Sequence, residues 1–251
     1  MLNAFLSKMR EDLAEPDRTR KLNQALFTLI APQYDQATRY LSLGRDAAWK
    51  ARLVADLPAL AAPVCLDLAC GTGDLTRRLA AKYPDGAVTG LDLTEAMLIQ
   101  AREIGRATKE ITQPHYMTGD MGRTSLPASS IDIVTGSYAL RNAGDLPEAI
   151  REIHRILKPG GLAVFLDFSK PANPLLQGMG HMILKSWGSV WGWILHRDPR
   201  VYAYIADSLS RYPDRRQLAA QFRGAGFEVL KTRHAFLGLI ECLHVKKREA
   251  A

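Results

Sequence analysis

Residues 65 to 76 read Cys-Leu-Asp-Leu-Ala-Cys-Gly-Thr-Gly-Asp-Leu-Thr, an apolar run that ends in a glycine-rich turn with a helix pattern straight after it. Asp92 closes the next apolar run, about 20 residues on, the spacing of an acid that grips two ribose hydroxyls after a nucleotide-binding turn. Such a turn lets a cofactor approach bare backbone. A lone Gly-x-Gly would be a weak signal; the order strand, turn, helix, strand, acid is a strong one and points to an enzyme built around a nucleoside cofactor.

The details choose among cofactors. A dinucleotide fingerprint is Gly-x-Gly-x-x-Gly, its third glycine allowing helix and strand to pack closely. Here Gly71 and Gly73 are present and Thr76 holds the third position. Asp74 follows in the first helical turn, where a pyrophosphate would want an unopposed positive helix end. A carboxylate there suits a ligand that is cationic or carries an amino group. S-adenosyl-L-methionine has a sulfonium and an α-ammonium and no phosphate, so Asp67-x-x-x-Gly71-x-Gly73 favours it over NAD.

The elements that must position these residues follow from the apolar pattern. Strands are predicted over 64–68, 88–91, 115–118, 131–135 and 162–168, and helices over 74–83 and from Thr94, as cap, to about Ala107. Asp145-x-x-Glu148 reads as a capping box for a helix whose apolar face is Ile150, Ile153, Ile156 and Leu157, stopped by Lys158-Pro159-Gly160-Gly161. This alternation means a parallel sheet with helices on both sides. Before it, a helical segment runs from about Arg20 to Ile30, broken at Pro32, and a polar-aromatic stretch runs from Tyr40 to Trp49. After Pro171 the rhythm breaks: residues 172–212, rich in Trp and Tyr, read as an inserted helical cap. Asp214 and Gln217 then cap a helix ending at Gly224 to Gly226, and residues 227–233 and 238–245 form a final antiparallel pair.

In open α/β sheets ligands bind beyond the carboxyl ends of the strands. Asp120, after the third strand, is placed to hold an adenine amino group with Met121 against the ring; a loop cap is the other reading. Ser137, after the fourth strand, is placed for the methionine part. Arg141-Asn142 is the polar pair nearest a reacting group. Arg141 could instead pair with Asp145 or Asp167. Arginine is no simple base, because its guanidinium does not give up its proton in proteins. His154 reads as structural, and His196 and His234 are the histidines to follow.

A chain of 251 residues, 47% hydrophobic, suits one α/β domain with additions. No apolar stretch reaches the roughly 18 residues of a membrane span. Glu11, Asp12 and Glu15, soon after a short apolar start, argue against a secretory or organelle signal. Three cysteines without Cys-x-x-Cys fit a reducing cytoplasm and no metal site. The net charge of +7 is spread thinly apart from Lys246-Lys247-Arg248 and Arg215-Arg216, and no basic residues interleave with aromatics, so no nucleic-acid partner is expected. A solvated surface accounts for the charge; the functional reading is a weak pull toward an anionic bilayer. Leu2, Phe5, Leu6, Met9 and Leu13 stand at helical spacing, as in an amphipathic helix docked on its own domain or touching a membrane or partner.

Together these segments resemble the ubiquinone/menaquinone biosynthesis C-methyltransferase family, from about Phe27 to Val245. The carriers are Phe27 to Asp35, Leu66-Asp-Leu-Ala-Cys-Gly-Thr-Gly-Asp74, Ala139-Leu-Arg-Asn142, Leu157-Lys-Pro-Gly-Gly161 with Asp167-Phe-Ser-Lys-Pro171, Tyr204 to Ser208, Tyr212-Pro-Asp214 and Gly224 to Phe227. The glycine loop and Lys-Pro-Gly-Gly occur in many methyltransferases; Leu-Arg-Asn and Phe-Ser-Lys-Pro are more specific. The resemblance implies a Rossmann-like doubly wound α/β fold: a mostly parallel seven-stranded sheet, helices on both faces, an antiparallel final strand and the inserted cap. It implies one methyltransferase domain, with an N-terminal helical lid over 1–60, a cofactor-binding core over 61–170, the cap over 171–212 and the end of the sheet over 213–251. The implied activity moves a methyl group from S-adenosyl-L-methionine to a ring carbon of a prenylated hydroquinone, demethylmenaquinol or a ubiquinol precursor. The alternative is an O-, N- or C-methyltransferase of another small aromatic or lipid-like metabolite. By resemblance Thr72, Asp92, Asp120, Met121 and Ser137 carry the cofactor, and Arg141 faces the substrate. There it would stabilise the phenolate of the hydroquinone and hold the water that takes its proton, while Tyr138 orients the same hydroxyl. Tyr34, Asp67, Gly71, Gly73 and Leu93 are the further expected cofactor contacts, and Asn142 is expected beside Arg141 and Tyr138 in catalysis. A cytoplasmic homodimer, peripheral to the inner face of the membrane, is the further expectation. The chain departs from the family pattern at Gly44-Arg-Asp-Ala-Ala-Trp49, where a His is usual, at Tyr138-Ala139, where Phe-Gly is usual, and at its end.

Overall fold

The computed structural model describes residues 15–108, 112–171 and 173–249, and the apolar residues between 2 and 13 lie outside that range. Three helices come first: α1 (Pro16–Ile30), α2 (Tyr34–Leu41) and α3 (Asp46–Ala55). The sheet is then built from β1 (Val64–Leu68), α4 (Asp74–Lys82), β2 (Ala87–Asp92), α5 (Glu95–Ala107), β3 (His115–Thr118), β4 (Ile131–Ser137), α6 (Leu146–Ile156) and β5 (Leu157–Phe168). Helices α7 (Pro174–His196) and α8 (Arg200–Arg211) interrupt it. The chain closes with α9 (Arg215–Gly224), β6 (Phe227–Ala235) and β7 (Ile240–Lys247).

The strand order is β3-β2-β1-β4-β5-β7-β6. β1 to β5 are parallel, and β7 runs antiparallel between β5 and β6. Side chains alternate across the sheet because the strand period is two. Cys65, Ile133, Val164 and Leu166 enter one core, and Leu66, Leu68, Val134 and Phe165 the other. Burial on both faces explains why these strands read as continuous apolar runs. The order reverses between β1 and β4, so the loops leaving those two strands open side by side; the last paired residues are Leu68 and Gly136.

A third apolar cluster sits above the strand ends, where Leu22, Leu26 and Ile30 of α1 meet Val201, Tyr202 and Tyr204 of α8. Helices α7 and α8 come close because Gly188 has no side chain: a Cβ there would lie 2.5 Å from the Tyr202 carbonyl oxygen. α7 remains half uncovered, with Leu175, Met179, Met182, Val190 and Trp193 exposed.

Several sequence expectations change. The polar-aromatic stretch from Tyr40 to Trp49, given no element from sequence, is divided between the end of α2 and the start of α3. Thr94 precedes α5 but makes no side-chain cap bond; its N–H donates to Asp92 instead. Asp145 does cap α6, accepting from Glu148 N, but the Glu148 carboxylate does not reach back, because Arg20 and Arg123 take it. Leu157 starts β5 rather than ending the helix face. The box at Asp214 and Gln217 is complete.

Candidate active site

The loop between β1 and α4 is bent by left-handed residues: Ala69 (φ 48°), Gly71 (φ 56°) and Gly73 (φ 79°). Gly73 also leaves room for a neighbour, since a Cβ there would run into the Tyr116 hydroxyl. Asp92 at the end of β2 reaches across: Oδ2 accepts from Gly71 N at 2.8 Å, and Oδ1 accepts from Thr94 N at 2.8 Å. Each carboxylate oxygen keeps a lone pair for a ribose hydroxyl. Burial raises the Asp92 pKa, against the bonds from Thr94, Gly71 and Leu93 that lower it.

A cleft runs beside this loop, lined among others by Tyr34, Gly71, Asp92, Leu93, Met121 and Ser137. Asp120 also lines it, and Arg20 of α1 grips that carboxylate while its Nη2 donates to Glu148 at 2.5 Å. α1 therefore lies across the cleft, which holds only about 50 Å³. Among the described residues Arg20 is the one cation in the lining, and it is already bound to carboxylates. Acids, backbone groups and a methionine suit hydroxyls, an amine and an adenine, and offer little to a pyrophosphate. The residues present therefore fit S-adenosylmethionine.

Three residues expected in the cleft stand behind it. Asp67 is buried under the loop, accepting from Thr76 Oγ1 at 2.7 Å and Thr135 Oγ1 at 2.8 Å. Thr72 donates to Asp35 at 2.6 Å. Gly73 bends the loop without lining the cleft. Asp74, expected to face the ligand, pairs instead with Lys50 at 3.3 Å and Arg78 at 3.0 Å. Burial alone would raise its pKa, but those two cations hold it below the ordinary value.

A second cavity of about 450 Å³ adjoins the first, and the two share Phe27, Tyr34, Tyr138 and Asn142 in their walls. Its lining is almost wholly apolar, from α1, α2, α7 and α8, and among the described residues Arg141 is its one cation. Arg141 follows β4 in a short 3-10 turn, Leu140–Asn142, and is buried. Its guanidinium stands 5.3 Å from the Phe168 ring centre and 5.7 Å from that of Tyr204, and Nη1 donates to Ser208. Asp167 receives its backbone N–H at 3.1 Å, but Nε stays 3.7 Å away from that carboxylate. Of the two pairings the sequence left open, Asp167 is the one made, and Arg141 still faces the cavity.

Asn142 holds the turn in place. Its Nδ2 donates to Tyr138 O at 2.8 Å, its backbone O accepts from Asn23 at 2.7 Å, and its Oδ1 accepts from Tyr204 at 3.1 Å. Tyr138 has a left-handed backbone (φ 58°), costly for a bulky residue, and its hydroxyl donates to Asp46 at 2.7 Å. Asp46 in turn binds Lys50 at 2.8 Å. Arg20, Asn23, Asp46, Lys50 and Tyr204 were all missed as site residues. The one signal for the first two was their spacing with Phe27 along one face of α1. His196 bonds Tyr202 at 2.9 Å and His234 lies 3.6 Å from Glu241; neither lines the two cavities. Among the described residues no cluster could hold a metal ion, and no helix is long and apolar enough to cross a membrane.

Comparison with known proteins agrees with this geometry. The model for the ubiE/COQ5 methyltransferase family matches residues 16–248. A ubiquinone/menaquinone biosynthesis C-methyltransferase of Dinoroseobacter shibae is 33% identical over 89% of this chain and 89% of its own. A 2-phytyl-1,4-naphtoquinone methyltransferase of Nostoc punctiforme is 36% identical over 89% of this chain and 97% of its own. Among solved structures, a SAM-dependent methyltransferase of Thermotoga maritima superposes with a TM-score of 0.61 at 18% identity, over 90% of this chain and 99% of that one. The [4+2]-cyclase SpnF gives 0.63 at 16% identity over 81% of each. At such identities the structures speak for the fold alone, and a cyclase on the same fold shows why.

Proposed function

Because this chain belongs to the ubiE/COQ5 methyltransferase family and is an S-adenosylmethionine-dependent methyltransferase, we propose that it methylates a ring carbon of a prenylated hydroquinone. The observation that carries this reading is the apolar cavity of about 450 Å³ that shares a wall with the cofactor cleft and is lined by a single cation among the described residues, Arg141. S-adenosylmethionine supplies an electrophilic methyl group when bound. Asp92, the Gly71 backbone, Leu93, Met121 and Ser137 would hold it, with Tyr34 over the loop. Asp67, Thr72 and Gly73 would act by shaping that loop.

The acceptor ring would sit between Tyr138 and Arg141. Its carbon becomes nucleophilic when an ortho hydroxyl loses a proton, and a nearby guanidinium lowers the cost of the phenolate in so dry a cavity. Arg141 Nη2 has no hydrogen-bond partner among the described residues, so it has a donor to offer. Bringing ring carbon and methyl group together supplies much of the remaining acceleration. α1 would serve as the lid over the cofactor.

The isoprenoid tail would leave by the mouth of the cavity. Leu43, Ile183 and Trp187 line the cavity and are yet 58%, 50% and 36% exposed. The mouth thus opens onto the apolar face of α7, a helix without a single carboxylate that carries Lys185 and is followed by Arg197. Trp193 stacks under Arg197 at 5.2 Å. Indoles beside cations suit the boundary of an anionic bilayer. In this reading the enzyme works against the inner face of the membrane and draws its substrate from there.

A mass-spectrometric turnover assay tests the reaction. It offers S-adenosylmethionine with demethylmenaquinol, a phytylated naphthoquinol or a demethylated ubiquinol precursor under reducing conditions. The expected product gains one methyl on carbon and keeps both hydroxyls free. A methyl ether, or no product from any of the three with cofactor binding intact, would refute the assignment.

A further inference from the structure

Asp46 and Tyr138 are 92 residues apart in sequence and hydrogen-bonded to each other. Tyr138 stands in the wall common to the cofactor cleft and the apolar cavity. Its hydroxyl has one proton, and that proton is directed at Asp46 Oδ1 at 2.7 Å. Toward any other partner the oxygen therefore offers lone pairs only. Asp46 is itself fixed. It is buried, its Oδ2 binds Lys50 Nζ at 2.8 Å, and its backbone N–H bonds Ser42. Lys50, also buried, continues to Asp74 at the head of α4, next to the cofactor loop. A buried carboxylate with a committed tyrosine proton on one side and a buried ammonium on the other is an expensive arrangement for a wall that needs only to be apolar.

We propose that Tyr138 and Asp46 form a proton relay for the methyl transfer, with Tyr138 accepting the proton of the acceptor's ring hydroxyl and Asp46 receiving Tyr138's own. The proposal rests on the hydroquinone reading above. As the substrate O–H bond breaks, its proton joins Tyr138 Oη, and the Tyr138 proton crosses to Asp46 Oδ1. The electron pair left on the substrate oxygen moves into the ring. The ortho carbon uses a ring pair to bond the methyl carbon, whose bond to sulfur breaks and leaves its pair on sulfur. Water then takes the proton from the methylated carbon, aromaticity returns, and the proton on Asp46 goes back through Tyr138 to the ring oxygen. One proton is released overall. Lys50 restrains the carboxylate without donating into the reaction. Arg141 covers the phenolate while the charge is there, a task separate from taking the proton.

The test compares the wild type with Tyr138→Phe, Asp46→Asn, Asp46→His and the Tyr138→Phe/Asp46→Asn pair in the full-length enzyme, using the turnover assay with whichever hydroquinone the wild type methylates. Removing a general base costs about 10² to 10⁴ in rate. Tyr138→Phe and Asp46→Asn are each expected to lose about 10²-fold in kcat with KM changed less than about threefold, and the double variant to lose no more than either single one. Asp46→His restores an acceptor for the proton. It is expected to recover at least about tenfold over Asp46→Asn, with the acidic limb of the kcat profile in the imidazole range near 6.5. A merely structural aspartate would give neither the recovery nor the moved limb. Tyr138→Phe keeps the Asp46–Lys50 pair, so it carries the test if Asp46→Asn fails to fold. Turnover of Tyr138→Phe within about threefold of wild type overturns the relay while leaving the function standing. A wild type silent on all the hydroquinones overturns the acceptor assignment and the relay together.

Discussion

Asp67 offers the sharpest test of how the cofactor loop is held. It lies under the loop, and its only side-chain partners among the described residues are the hydroxyls of Thr76 and Thr135. Burial drives its pKa from 3.8 up to about 6, the two hydroxyls offsetting part of the rise. The native state therefore binds this proton more tightly than the unfolded chain does. The resulting stabilisation is full below the unfolded value and is lost as pH rises through about 6. At about 1.4 kcal/mol per pKa unit, the full effect is about 3 kcal/mol, of which about 1.4 kcal/mol falls between pH 5 and 7.5. Asp67→Asn carries no charge to desolvate, and its amide keeps an acceptor and a donor for the two threonines. The stability of this variant relative to wild type should thus rise by about 1.4 kcal/mol between pH 5 and 7.5, measured by urea unfolding at each pH. The wild-type curve alone would not isolate the effect. Burial pushes the His244 imidazole down to about 4, so its contribution runs the other way, present above its unfolded value and lost as pH falls. Subtracting the variant removes His244, which both proteins share. Cofactor affinity should meanwhile change by less than about threefold, because a loop brace that stays bonded still braces. A difference in stability that does not vary with pH, or a cofactor affinity weakened more than about tenfold, would refute the assignment of Asp67 as a buried brace.

Gly73→Ala forces a side chain into a left-handed position and against the Tyr116 hydroxyl. The backbone term alone is about 1–2 kcal/mol, so calorimetry should find S-adenosylmethionine binding at least about tenfold weaker; unchanged binding would mean that the loop bends elsewhere. Arg20 ties α1 to Asp120 and Glu148 across a cleft of about 50 Å³, while ligand pockets usually exceed about 300 Å³. Arg20→Ala should speed cofactor association about tenfold in stopped flow, the worth of one charge-assisted contact, and added salt should speed the wild type but not the variant. Slower association would show that the pair guides entry instead of closing it. Met182 and Trp193 are exposed on α7 and do not line the cavity. The Met182→Glu/Trp193→Glu protein should no longer float with anionic phospholipid vesicles yet should turn over a short-chain acceptor normally. Flotation equal to wild type would remove α7 from the membrane reading.

What could be read from sequence divides along physical lines. Strands β1, β2, β4 and β5 are buried on both faces, so their apolar runs and the glycine turn after β1 stood out without help. The Asp214 box was legible because capping is local: both members lie within one helical turn. The Asp145 box looked identical and is half made, since Glu148 is taken by Arg20, which comes from 128 residues away. The same competition misdirected the reading of Asp74. A carboxylate at a helix start is visible in sequence, but the Lys50 ammonium that occupies it arrives from α3. Asp67, Thr72 and Gly73 group with the cofactor in sequence because sequence marks the loop as a unit and does not say which atoms face outward. The place of Arg141 and Tyr138 after β4, at the edge of the switch between β1 and β4, is legible from the strand pattern. The groups that fix them, Ser208 and Asp46, come from the cap and from α3, and no spacing announces them.

The arrangement around Arg141 argues that its charge is kept for the acceptor. Asp167 is buried directly beside Arg141, and a bidentate pair between them would have satisfied both groups. Instead Asp167 spends its oxygens on the backbone N–H groups of Arg141 and Phe168, and Nε remains at 3.7 Å, buried and without a hydrogen bond. A buried donor left unmet costs about 1–3 kcal/mol. The rings of Phe168 and Tyr204 hold the guanidinium plane without consuming its donors. Aromatic faces stabilise a cation by their quadrupoles, which leaves its N–H groups available. A phenolate entering the cavity would meet an arginine already desolvated, oriented and only partly neutralised. Arg141→Lys keeps the charge and loses the plane that the two rings hold. Its kcat should fall by about 10² or more, the usual cost of one preorganised donor to a developing oxyanion, while cofactor binding is unchanged. If the lysine protein instead keeps wild-type turnover, bare charge suffices and the stacked geometry has no part in the rate.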